Sequence, residues 1–146
     1  MQIRTAVHRD LAAMFRLEQA AFGEHGYPDF FFRQALDLWP ELLLVAESPG
    51  GELAGYCLGG VGTVPGQGWV LSLAVADAYR GAGIAGALLQ RLFTGMAQAG
   101  CRQWRLTVAP ESPAVRLYQR LGFEQEQRVP DYFGPGQSRL VLVRRE

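Results

Sequence analysis

Three observations predict an α/β fold with a mixed sheet. The apolar strand Trp69 to Val75 runs into a glycine turn, Arg80 to Gly83, and the turn opens a long amphipathic helix. Further strand-length apolar runs flank this unit on both sides, and two helical stretches precede them. No repeat, low-complexity segment or linker divides the chain, so residues 1–146 are expected to form one domain. The resulting order, β-α-α-β-β-β-α-β-α-β-β, is that of a layered fold with helices packed on the sheet.

Each element has its own signal. Ile3 to Val7 is a short strand candidate. Asp10 caps a helix whose apolar stripe is Leu11, Met14, Phe15, Ala21 and Phe22. Glu18 falls in the middle of that stripe, an unusual place for a carboxylate. A rotated helix, with Leu17 inside and Glu18 in solvent, is the competing arrangement. Gly23 to Pro28 is a loop, and Asp29 caps a second helix reaching about Leu38. Leu42 to Glu47 and Glu52 to Val61 form a hairpin across Ser48 to Gly51. After the glycine-rich turn Gly62 to Gly68 comes the central strand, then a helix with Ile84, Leu88, Leu92 and Met96 on one face. Gly100 ends that helix. Trp104 to Val108 is a strand, and Ser112-Pro113 starts a helix through Leu121. Phe123 to Arg128 and Arg139 to Arg144 are the last strands.

Composition excludes several classes. Nearly half the residues are apolar and the formal charge is zero, so the chain lacks the positive field of a non-specific nucleic-acid binder. No apolar run approaches the ~18 residues of a membrane span, and MQIRTAVHRDL does not read as a signal peptide. Cys57 and Cys101 have no metal-ligand spacing and read as free thiols, which points to a cytoplasmic protein with no metal site. All 14 basic residues are arginine, in keeping with a GC-rich coding sequence.

The central turn carries the strongest functional signal. A strand entering a helix through glycines leaves backbone N–H groups aimed at one point, where the helix dipole favours an anion. Gly81, Gly83 and Gly86 spell the dinucleotide fingerprint GxGxxG. However, the turn lies mid-chain, and the next strand ends in Ala109-Pro110 without a ribose-binding acid. Arg80, Gly83 and Ala85 fit a different pattern, R/Q-x-x-G-x-G/A, and a plain packing turn is a third reading.

In that second form the stretch resembles the acetyl-CoA-binding motif of the GCN5-related N-acetyltransferases (GNAT). AVRLYQRLGFE, Ala114 to Glu124, resembles the family's A-x-x-LY-x-x-x-GF segment, and the likeness covers essentially the whole chain. LEQAAFG (Leu17 to Gly23) and DYFGPG (Asp131 to Gly136) look most like bacterial enzymes that acetylate a ribosomal-protein N-terminus. The resemblance implies a mixed, mostly antiparallel sheet and transfer of acetyl from acetyl-CoA to a primary amine in a ternary complex. By position, it implies that Leu73, Ala74 and Val75 hydrogen-bond the pantetheine arm. Arg80, Gly81, Ala82, Gly83, Ile84, Ala85 and Gly86 would cradle the pyrophosphate. Tyr118 would protonate the leaving thiolate, and a strand-edge N–H near Val75 would hold the oxyanion. Glu18, Tyr27, Tyr132 and Phe133 would line the acceptor pocket.

Two positions depart from the family pattern. Its helix-start asparagine is Glu111 here, which cannot donate an amide N–H, so Ser112 is expected to touch the pantetheine or cap the helix. The positions that carry a carboxylate base in relatives are Leu71 and Thr107, and neither can take a proton near neutral pH. The proton then leaves through water, or the acceptor is an amine of low pKa such as a protein N-terminus. The same gap leaves a non-catalytic acyl-CoA sensor as the alternative. The implied partner is a peptide N-terminus or a small amine, with no nucleic acid or membrane; the protein itself is a monomer or homodimer. With no lysine, such an enzyme cannot acetylate its own side chains.

Overall fold

The computed structural model describes Met1–Glu146. Its elements are β1 (Gln2–Thr5), α1 (Leu11–Phe22), α2 (Asp29–Leu38), β2 (Leu43–Glu47), β3 (Leu53–Val61), β4 (Gln67–Val75), α3 (Ile84–Gln98), β5 (Gln103–Val108), α4 (Ala114–Arg120), β6 (Glu124–Val129) and β7 (Arg139–Arg145). The predicted element order holds, with ends moved by a residue or two. All seven strands join one sheet in the order β1-β2-β3-β4-β5-β7-β6. Every pairing is antiparallel except β4 with β5.

The caps are more varied than the sequence suggests. Asp10 lies in a short 3-10 turn before α1, and its carboxylate accepts the Val7 N–H at 2.8 Å while Arg4 clamps both oxygens at 2.8 and 3.1 Å. Burial works to raise the Asp10 pKa, but the Arg4 and Val7 hydrogen bonds outweigh it and hold the carboxyl below its usual range. Asp29 is the first helical residue of α2, with Pro28 at the cap position. At α4 the cap position is Pro113, not Ser112, whose Oγ accepts the Ala114 N–H at 3.2 Å from two residues before the helix begins.

The sheet is covered on both faces. Leu88, Leu89, Leu92, Phe93 and Met96 of α3, with Tyr118 of α4, pack on one side against Leu44, Cys57, Trp104 and Leu142. Met14 of α1 and Phe32 and Ala35 of α2 pack on the other against Val45, Tyr56 and Leu58. Glycines let α3 sit low on its side. A Cβ at Gly59 would lie 2.1 Å from Met96 Cε and 2.9 Å from Leu92 Cδ1, and one at Gly68 would lie 2.9 Å from Met96 Sδ.

Two irregularities of β4 shape the site. It pairs with β5 only over Gln67–Trp69 and Gln103–Arg105, after which the two parallel strands part. Its register with β3 also slips, since Leu58 faces Ser72 while Gly59 faces Val70, leaving Leu71 as a bulge. The extra residue reverses the side-chain alternation. Val70 therefore joins the α3 face, whereas Leu71, Ser72 and Ala74 turn to the α1 face.

Candidate active site

Where β4 and β5 part, a cleft of about 850 Å³ passes between them and is lined from both faces of the sheet. Its walls on one side come from the β4–α3 turn and α4, and on the other from α1, the Gly23–Pro28 loop, Phe133 and Arg139. Ala76 N–H bonds to Ala54 O, and Gly55 faces Val75 across the ladder. By the alternation of an antiparallel pair, the backbone groups of Leu73 and Val75 then point away from β3 into the cleft. Those of Ala74 bond to β3 instead, so this residue contributes only to the wall and to the α1-side core.

The β4–α3 turn presents a row of unpaired backbone donors at a helix N-terminus. Gly81 and Gly83 have φ of +80° and +77°, a region closed to most side chains, and Gly83 is the N-cap of α3. The N–H groups of Gly81 through Gly86 bond to no backbone or side-chain acceptor, and all sit at the positive end of a 15-residue helix. A Cβ built at Gly81, Gly83 or Gly86 meets nothing within 4 Å beyond its own chain neighbours and helix backbone, so no other part of the protein crowds the turn. A diphosphate fits that combination of donors and room. Arg80 lies exposed beside it, 3.1 Å from Asp77, and Ser112 lines the same wall. Ala82 is exposed and stands outside the cleft lining, so only its backbone N–H belongs to the cradle.

Tyr118 projects from α4 into the cleft, edge-on to Phe123 at 5.8 Å. It is 9% exposed, and its hydroxyl has no hydrogen-bond partner within the protein. Burial, with a smaller contribution from nearby Cys57, pushes its pKa up to about 12. The phenol is thus held protonated well above neutrality, with its proton free to be donated.

On the α1 side, Glu18 is 2% exposed, so the helix is not rotated to release it. One carboxylate oxygen takes the hydroxyls of Tyr56 and of Ser72, the latter at 2.7 Å, and the other accepts the Tyr27 N–H at 2.9 Å. Tyr27 stacks on Phe31 at 4.4 Å and lines the cleft with Phe22 and Phe133. Tyr132 does not line it; its ring supports Phe133 edge-on at 4.7 Å. Leu71 and Thr107 are in the wall, as the family positions imply.

The sequence pattern did not single out several lining residues: Phe22 as wall, Ser72 with its partner Tyr56, His25, Arg120 and Arg139. His25 is the one imidazole on the cleft. Arg139 lies over the Phe133 ring at 5.1 Å. An apolar run such as β4 hides which side its serine faces, and only the register with β3 reveals it. Neither cysteine is paired, no three His, Cys, Asp or Glu side chains gather as a metal site, and no helix is long and apolar enough to cross a membrane.

Known proteins share this architecture. The model of the acetyltransferase (GNAT) family matches residues 7–123. An uncharacterized N-acetyltransferase of Methanocaldococcus jannaschii is 31% identical over all of this chain and 92% of its own length. An N-alpha-acetyltransferase of Sulfurisphaera tokodaii is 29% identical over 97% of this chain and 91% of its own. Among solved structures, a chain of a NatC complex bound to Gag peptide and CoA superposes with a TM-score of 0.89 at 24% identity, covering 100% of this chain and 99% of that one. The ribosomal-protein-S18-alanine N-acetyltransferase of Escherichia coli gives 0.81 at 22%, covering 99% and 92%. These relatives carry the names of enzymes, which favours turnover over the sensor reading. The chain belongs to the GNAT family and is an acetyl-CoA-dependent N-acetyltransferase.

Proposed function

We propose that the acceptor is the α-amine of a protein N-terminus, and that it enters from the α1 face while acetyl-CoA occupies the α3 face. The observation that carries this is the wall where a base is expected. Leu71 and Thr107 stand there, and neither can remove a proton from an ammonium. With no proton acceptor at those two strand positions, transfer depends on the fraction of amine already neutral. At pH 7 that is about a tenth for an α-amine of pKa ~8, but only about 1 in 2,500 for a lysine of pKa ~10.4. The names of the Sulfurisphaera relative and of the peptide-bound NatC complex point to the same substrate class.

The residues then divide the work. N–H groups of Gly81 through Gly86 hold the diphosphate, flanked by Arg80, and Ser112 borders the pantetheine arm. Leu73 and Val75 offer that arm their backbone groups. The neutral amine, bracketed by Tyr27 and Phe133, attacks the thioester carbonyl, and the Val75 N–H stabilises the oxygen as it gains charge. As the C–S bond breaks, Tyr118 gives its proton to the thiolate, and the proton lost by the nitrogen passes to water.

A peptide panel with acetyl-CoA tests this by release of free CoA. A peptide with a free N-terminus should turn over, and its N-blocked copy carrying one internal lysine should not. Equal rates for the two would discard the α-amine assignment.

A further inference from the structure

Glu18 gathers hydrogen bonds from three separate parts of the fold: Tyr56 of β3, Ser72 of β4 and the Tyr27 N–H at the end of the Gly23–Pro28 loop. Tyr56 and Ser72 also touch each other at 2.8 Å. We infer that Glu18, Tyr56 and Ser72 form a buried lock that fixes the Gly23–Pro28 loop to the sheet and so governs recognition of the acceptor amine. This rests on the reading that the acceptor enters from the α1 face.

No arginine neutralises this carboxylate; three neutral donors hold it. Both carboxylate oxygens are engaged, Oε1 by the sheet hydroxyls and Oε2 by the loop N–H, so Glu18 ties the loop to the sheet and acts as a positioning residue. Tyr56 stays a donor because burial, and then the charge of Glu18, push its pKa far up. Ser72 reaches the carboxylate only because the Leu71 bulge turns it to the α1 face. The loop backbone comes close enough through Gly26, where a Cβ would lie 2.9 Å from Glu18 Cγ. Beyond the lock, the loop's own backbone ties are few, Gly26 N–H to Gly23 O at 3.2 Å and Phe31 N–H to Pro28 O at 3.1 Å. Yet it carries His25 and Tyr27, both on the cleft wall. Packing apolar groups at these positions could stabilise the fold as well, but would not select one loop position.

Glu18→Gln places an amide N–H₂ against donors, and Ser72→Ala removes one donor with little change of shape. Glu18→Gln should raise the acceptor-peptide KM about tenfold or more, and Ser72→Ala about threefold. Acetyl-CoA affinity by calorimetry should stay within about twofold in both, since the cradle lies on the other face. Hydrogen exchange at the Tyr27 amide should quicken in both, a change that loss of global stability alone would spread over the sheet. An acceptor KM unchanged in folded Ser72→Ala and Glu18→Gln overturns the inference. So does an acetyl-CoA affinity that weakens in step with KM. If wild-type protein acetylates no peptide N-terminus, the acceptor assignment fails separately. The lock is then judged by Tyr27 exchange alone, and unchanged exchange overturns it.

Discussion

The phenol of Tyr118 keeps its proton because the side chain is buried between α4 and Phe123, where a phenolate has little solvation. In the proposed mechanism the donor's pKa of about 12 lies above the ~8.5 of a free thiol, so the proton is shared with the sulfur as the C–S bond breaks and is not handed over beforehand. Tyr118→Phe keeps the ring packing and should lower kcat by roughly 10²–10⁴, with acetyl-CoA affinity unchanged. Wild-type turnover in that variant would return Tyr118 to a packing role. The pH profile follows from the same burial. The folded pKa lies above the ordinary value of ~10, so the acid is fully protonated below that value and is lost only as pH rises toward about 12. kcat/KM should therefore climb as the amine deprotonates through pH ~8 and stay level to about pH 11. A decline centred near pH 10 would assign the donor elsewhere. That Tyr118 stands on the cleft was legible in the sequence through its LY…GF setting. Its opposite number across the sheet, Ser72, was not, because its partners lie in segments 54 and 16 residues away.

Among the elements, α3 has two glycine sets with opposite demands. Those at its N-terminus keep side chains out of the space above the N–H groups, and those beneath it, on β3 and β4, keep side chains out of the space it fills. Gly83→Val should abolish acetyl-CoA binding in calorimetry while costing about 1–2 kcal/mol through the left-handed backbone. Undiminished affinity in the folded variant would move the diphosphate away from this turn. Gly59→Ala acts in the other way. Its methyl drives into Met96 and Leu92, so it should cost about 1–3 kcal/mol of stability by denaturant melts and displace α3. A variant as stable as wild type would show that Met96 moves aside freely. The glycine turn, the helix period and the hairpin at Ser48–Gly51 were plain in the sequence because each is local. The Leu71 bulge was hidden, since Val70, Leu71, Leu73, Ala74 and Val75 are all apolar and one serine among them does not set a parity.

Across the whole molecule, the parting of β4 from β5 turns a sheet, ordinarily a partition, into a passage. Each face contributes its own wall: the cradle and Tyr118 on one, the locked loop and Phe133 on the other. The proposed entry of acetyl-CoA by one face and acceptor by the other gives the cleft two mouths, and kinetics can detect that. A substrate leaving by one mouth does not have to wait for the other mouth to clear. Free CoA should then compete with acetyl-CoA but not with the acceptor peptide, and acetylated peptide should compete with the peptide but not with acetyl-CoA. Initial-rate plots should intersect for every pair. Competitive inhibition of the acceptor by CoA would mean that both substrates share one entrance, and that the sheet is a wall after all.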